Sequence, residues 1–327
     1  MEGCTADGSG PSALEMPCGP PDDRVMAATT DGGAPARIVR PPSDRPNGRA
    51  EPVRLRRIVV PVDGSPFAER ALPVAGWVAD ALDAPLHLVE VVDDGDGADA
   101  AIHYLDDLAR RHNAASWDVA RGEHPGSAIV AASQVDPPSL VCLATHGRDR
   151  SAAALGSVAM QVLGHSAEPV LLVGPEARPP SAADAPVVVA VDGAPDDCTV
   201  VRAATEWASR LRRRVVVATV AEPAPRSFRS DRPVRRARGP ADPEAYVARL
   251  AADAAGAAST AIEVRVVYDP VSVRAGVTRL VDRTASLLVL GTHRRTRALR
   301  AVLGSHAARI VHDIEVPALV VPLDTGG

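Results

Sequence analysis

The apolar residues of this chain fall into short unbroken runs, and between the runs lie segments with a helical stripe. Residues 58–62, IVVPV, are apolar throughout and stop at Asp63-Gly64-Ser65, the pattern of a strand covered on both faces and ended by a turn. Ser65 followed by Pro66 marks a helix start, a hydroxyl cap and a residue whose missing N–H is not needed in a first turn. The alternation continues with strands at 86–92, 117–120, 140–144 and 169–173. Helices are predicted over 100–112 and 127–134, and another opens at Gly156-Ser157.

A Pro/Ala-rich stretch interrupts the pattern, which then begins again. Residues 187–191 end in Asp192-Gly193, and the next helix carries Val200, Ala204, Trp207, Ala208 and Leu211 on one stripe of helical period. Runs at 215–220, 262–267, 287–290 and 318–321 supply four more strands, and Trp77 and Trp207 occupy nearly equivalent places. Strands alternating with helices imply parallel pairing through right-handed crossovers, with helices on both faces of the sheet. The predicted fold is therefore α/β, two Rossmann-like units of five parallel strands each. The boundaries are a leader at 1–53, a first unit at 54–175, a linker at 176–185 and a second unit at 186–323. The leader is rich in Gly, Pro, Ala, Asp and Ser without periodicity, so it is read as disordered.

Composition narrows the chemistry. All 36 basic residues are arginine, so a Walker-type phosphate loop, a Schiff-base lysine and a KMSKS-like loop are excluded outright. Any phosphate must be held by backbone amides, hydroxyls or guanidinium groups. A net charge of −5 argues against a nucleic-acid partner, and the local exception from Arg226 to Arg238 is read as a solvated loop. Four cysteines without CxxC spacing read as reduced thiols, and nine histidines without HxxxH spacing give no metal site. No apolar run reaches membrane-spanning length and the first residues lack a secretory pattern, so the expected location is the cytoplasm.

The candidate chemistry lies at the strand tips. Ala144-Thr145-His146-Gly147 is followed by Gly156-Ser157, and Gly291-Thr292-His293-Arg294 by Gly304-Ser305, each time between an apolar run and a helix. Glycines let amide N–H groups approach an anion, and the helix directs its positive end at the same spot. If the first and fourth strands are neighbours, Asp63 faces the Gly147 loop across the crevice, where a carboxylate can accept from a ribose hydroxyl or a base amine. The pocket then has the polarity of a nucleotide.

The motifs PVDGS, LHLVEVVD, THG with GSVA, and EPVLLV, in that order and partly duplicated, resemble the universal stress protein family in tandem form over about residues 55–323. The resemblance implies a fold of the adenine nucleotide alpha hydrolase type and packing of the two units through their last strands. It also implies ATP, with or without magnesium, held in many members by a G-x2-G-x9-G-[S/T] loop, whereas other members lack the loop and bind none. Carried over, Pro61 and Asp63 end strand one, Val91 lies against the base, and Gly147, Gly156, Ser157 and Val158 surround ribose and phosphates. Ala144 takes the place of the first glycine, and eight residues instead of nine separate Gly147 from Gly156. In the second unit Asp192, Val220, Gly291, Gly304 and Ser305 match with the full spacing of nine, but Arg294 replaces the middle glycine, with Arg295 and Arg297 close by.

The implied function is an ATP-binding regulator of the stress response, non-enzymatic or with trace hydrolysis. The alternative is a nucleotide-free interaction module with vestigial pockets. Implied partners are an adenine nucleotide, an unidentified protein and a second copy of the chain; a membrane and nucleic acid are not expected. No catalytic residue is assigned: Asp106-Asp107 and Asp196-Asp197 read as exposed helix residues, and His146 and His293 as loop-shaping.

Overall fold

The computed structural model describes residues 26–30, 36–39, 54–93, 97–146, 155–221, 240–256, 260–269, 272–282, 284–293 and 303–323. The leader holds β1 (Met26–Thr30) and β2 (Ala36–Val39). The first unit runs β3 (Arg57–Val62), α1 (Ala71–Leu82), β4 (Leu86–Val92), α2 (Ala98–His112), β5 (Ser116–Arg121), α3 (Pro125–Ser133), β6 (Ser139–Ala144), α4 (Ser157–His165) and β7 (Val170–Val173). The second repeats it as β8 (Val187–Val191), α5 (Asp197–Arg210), β9 (Val215–Ala221), α6 (Pro243–Ala255), β10 (Ile262–Tyr268), α7 (Val273–Val281), β11 (Leu287–His293), α8 (Ser305–Asp313) and β12 (Ala318–Leu323).

The strands form one twelve-stranded sheet in the order β1-β2-β10-β9-β8-β11-β12-β7-β6-β3-β4-β5. Within each unit the pairing is parallel, and the first strand sits between the second and the fourth. Unbroken apolar runs are required because both faces are covered. Ile58 and Val60 pack toward the layer of α1, α2, α5 and α6, whereas Val59 packs toward that of α3, α4, α7 and α8, and all three are fully buried. The stripe of Val200, Ala204, Trp207, Ala208 and Leu211 is likewise buried.

The units join through their last strands. β7 and β12 pair antiparallel with Leu171 opposite Leu319, so two parallel sheets become one continuous sheet. Gly174, just past β7, abuts α8: a Cβ there would stand 2.3 Å from the Val311 carbonyl oxygen. Arg178 N–H donates to the Glu315 carbonyl at 2.9 Å across the same seam.

Two details differ from the sequence reading. The helix expected from Ser65 begins as a 3-10 turn at Ala68–Arg70, capped by Ser65 Oγ accepting from Ala68 N–H at 3.2 Å, and becomes α-helical only at Ala71. Residues 1–53, expected to be disordered, contribute β1 and β2, which pair with each other and with β10. The leader has too few apolar residues to build a core, but β10 would otherwise present a row of unpaired N–H and C=O groups. Short segments with Thr29, Thr30, Ile38 and Val39 can add to that ladder, their pairing supplied by the second unit. The Arg226–Arg238 stretch lies outside the described residues.

Candidate functional site

Because β3 pairs with both β4 and β6, the crossovers from β3 and β6 leave to opposite faces, and a cleft opens beyond their carboxyl ends. It encloses about 1120 Å³ and is lined by Pro61 and Asp63 from β3 and the turn after it, Val91 from β4, Ala144 from β6, and Gly156, Ser157 and Val158 at the start of α4. Six of the seven first-unit candidates thus come together. The seventh, Gly147, lies outside the described residues.

The cleft has two chemically distinct sides. On one, Asp63 Oδ1 accepts from Ser65 N–H at 3.0 Å, so one carboxylate oxygen holds the turn. Glu90 and Tyr104 line the same side, and Tyr104 Oη donates to Glu69 Oε1 at 3.1 Å. Burial, reinforced by Glu69, Glu90 and Asp63, pushes the Tyr104 phenol well above its ordinary value, so it stays a donor. On the other side α4 starts at Gly156 with extended backbone and no side-chain cap. The first-turn amides of a helix have no intrahelical acceptor, which leaves those of α4 for an anion. Gly156 N–H donates to the Thr145 carbonyl at 2.7 Å, and a Cβ at Gly156 would stand 3.0 Å from that oxygen, so a larger residue would press on the β6 tip. Acceptors for hydroxyl and amine groups therefore face donors for an anion across one opening.

The second unit repeats the framework, but among its described residues the position equivalent to Val91 is covered. Asp192 is exposed at the tip of β8, and Gly304 and Ser305 are exposed at the start of α8. Val220 is 8% exposed, and α7 is seated on it: a Cβ on Gly276 would stand 2.6 Å from Val220 Cγ1. Its counterpart Val91 instead lines the open first cleft. Gly291 is required by packing, since a Cβ there would meet Leu323 and Val200, both at 2.8 Å. Arg294, with Arg295 and Arg297, lies outside the described residues.

One reading of the sequence is corrected at this end of the second unit. Asp197, expected to be solvated, is 6% exposed, and its Oδ2 accepts from Gly193 N–H at 2.9 Å, Ala194 N–H at 3.1 Å and Tyr246 Oη at 2.8 Å. The turn after β8 reads Asp-Gly-Ala where the first unit has Asp-Gly-Ser, so it lacks the serine hydroxyl and a carboxylate from α5 takes its amides. Asp106 and Asp107 are as read, each in an exposed pair with the arginine four residues on. Burial raises the Asp197 carboxyl above its ordinary value despite these bonds. A raised folded-state value means the native protein holds this proton more tightly, so the group's contribution to stability is present in acid and is lost as pH rises through that value. Asp197→Asn keeps an acceptor for all three donors. It is expected to flatten the stability profile above about pH 4, read as denaturation midpoints between acid and neutral pH; an unchanged slope would contradict this assignment.

Sequence reasoning missed Glu90 and Tyr104 as lining residues, whereas Thr145 and His146 line the cleft as members of the loop motif already singled out. Glu90 carried a signal, being the one charged residue inside the apolar run LHLVEVV. Among the described residues no group of three or more His, Cys, Asp or Glu could hold a metal ion, and no helix is long and apolar enough to cross a membrane.

Known structures reproduce this architecture. A universal stress protein from Archaeoglobus fulgidus DSM 4304 is 17% identical, with 82% of this chain matching 98% of that one at a TM-score of 0.60. A protein of Pseudomonas aeruginosa UCBPP-PA14 assigned to the universal stress proteins is 19% identical, with 82% of this chain matching 93% of that one at a TM-score of 0.53. At such identities the likeness is one of fold. No curated protein matches the chain. The model of the universal stress protein family matches residues 54–112, 96–174 and 185–322. Spanning both units and leaving out little besides the leader and the linker, those matches establish that the chain belongs to the universal stress protein family.

Proposed function

We propose that the first-unit cleft binds an adenine nucleotide, with ATP as the ligand, and that the protein acts as a nucleotide-dependent regulator in the stress response. The observation that carries this reading is the convergence of Asp63, Val91 and the α4 start on one volume of about 1120 Å³, ample for a nucleotide. Asp63 would accept from ribose or base and Val91 would pack on the base. The amides of Ser157 and Val158 would take phosphate, with magnesium accompanying the phosphates when present. Binding rather than turnover is supported by the described lining, where His146 is the only imidazole and its Nδ1 shares a 3.1 Å hydrogen bond with Thr145 Oγ1. The seating of α7 on Val220 supports a different role for the second unit, an interaction module that contacts a protein partner or a second copy.

The test is a nucleotide titration followed by thermal unfolding. A ligand at about a hundredfold excess over its Kd stabilises the fold by about 2.7 kcal/mol. Asp63→Asn, which preserves an acceptor for the turn amide, is expected to weaken ATP binding about tenfold, the share of a hydrogen bond to a charged group. Asp192→Asn should leave affinity within about twofold, because only the first cleft is proposed to fill. Absence of any shift with ATP at millimolar concentration would reject the nucleotide reading.

A further inference from the structure

Among the described residues the first-unit cleft meets the second unit at a contact that neither the family match nor the nucleotide reading explains. His146, at the cleft rim, meets His312 near the end of α8 edge to face, with ring centroids 5.9 Å apart and planes at 87°. A continuous path leads to that contact from the anion-binding end. Gly156 N–H is bonded to the Thr145 carbonyl, Thr145 N–H to the Val173 carbonyl, and Thr145 Oγ1 to the His146 ring. Beyond the contact, Asp313 follows His312 and accepts from Arg274 on α7 at 2.6 Å.

The seam around this contact is tight. Gly174 packs against the Val311 carbonyl with no room for a side chain, and Arg178 of the linker is bonded to Glu315 just past α8, so the end of α8 is gripped by the first unit and the linker. At the other end of α8 Gly304 and Ser305 are exposed, and among the described residues nothing lies within 4 Å of a Cβ placed on Gly304. A nine-residue helix is stiff, so an element held at one end carries a restraint along its whole length.

We propose that α8 reports the occupancy of the first-unit cleft to the second unit through the His146–His312 contact. This inference rests on the nucleotide reading. A ligand on the α4 amides fixes Gly156, and with it Thr145 and His146; the ordered His146 ring then holds His312 and restrains α8 and, through Asp313 and Arg274, α7. Coupling of this kind needs no change of shape, only the loss of motion in an element shared by two sites. The surface it would control is the start of α8 with Asp192 at the neighbouring strand tip, all exposed among the described residues. By linkage, a partner that orders α8 strengthens nucleotide binding by the same factor.

The experiment is amide hydrogen exchange on the full chain with and without ATP and magnesium, for wild type, His312→Ala and His312→Asn. Half-exposed His312 lies outside the proposed binding machinery, so both variants are expected to fold and to bind ATP with wild-type affinity. In wild type, ATP should slow exchange about threefold or more over residues 157–163 and also over 305–313 and 273–281. In both variants the first effect should remain and the second should vanish. Protection of α4 without any change in α8 overturns the coupling and leaves the nucleotide reading standing. No protection in either place overturns both. Protection of α8 that persists in both variants overturns the histidine contact as the route.

Discussion

Replacing Gly174 by alanine is expected to lower stability by about 3 kcal/mol, at the upper end of what overpacking usually costs, whereas the same change at Gly76 should raise it. The two glycines differ in their surroundings and in the element that holds them. A Cβ at Gly174 would stand 2.3 Å from the Val311 carbonyl oxygen, and what opposes it is backbone, which cannot turn aside as a side chain can. Either β7 or the end of α8 must shift, and both belong to the seam that makes one sheet of two. Gly76 lies inside α1, and among the described residues nothing lies within 4 Å of its added Cβ. There alanine contributes only its better helix propensity, about 0.5–1 kcal/mol. At about 2–4 °C per kcal/mol for domains of this size, Gly174→Ala should lower the unfolding midpoint by roughly 6–12 °C. Gly76→Ala should raise it by a few degrees. A neutral Gly174→Ala would mean that the seam is loose, and the route from the first cleft into α8 would lose its foundation.

The legibility of this chain follows from how its elements bury their surface. Strands covered on both faces must be apolar throughout, so β3, β8 and β12 stand out from any alternating pattern. The stripe of α5 was equally plain, because helical period and burial coincide there. Strand order is not written in any one run. That β3 lies between β4 and β6, which creates the cleft, depends on crossovers that residues 57–62 do not encode by themselves. The leader strands were hidden for a related reason: Ala36–Val39 is only four residues long and borrows its pairing from β10, so no periodic pattern of its own marks it.

The site was legible where chemistry is tied to position and obscure where it depends on what a neighbour lacks. Asp63, Gly156 and Ser157 sit at fixed offsets from strand and helix ends, so motif and geometry agree. Asp197 appeared to be a solvated acid at a helix start until Ala194 is seen to offer no hydroxyl, which leaves two turn amides to be satisfied. Tyr104 and Tyr246 show the same limit: each donates to a carboxylate near the first helix of its unit, a link between distant residues that no local pattern announces. The packing of Gly276 on Val220 is also long-range, and no local pattern in either half-chain announces it.

Ser157→Glu should move stability and binding in opposite directions. Ser157 is exposed at the first position of α4, where no side chain caps the helix. A carboxylate there complements the helix dipole and should add about 0.3–1 kcal/mol to the free protein. The same carboxylate occupies the place proposed for phosphate. Two like charges about 4–5 Å apart in a partly shielded cleft repel by a few kcal/mol, and after allowance for solvent a loss on the order of 2 kcal/mol, roughly thirtyfold in Kd, is expected. Screening makes the loss smaller at high salt, and a neutral adenosine should lose far less than ATP because it brings no charge to the helix start. A misfolded variant would lose stability and binding together, so the opposed signs exclude that explanation. Equal losses for ATP and adenosine would place the phosphates away from α4, and with them would go the assignment of Gly156, Ser157 and Val158 as the anion-binding end of the cleft.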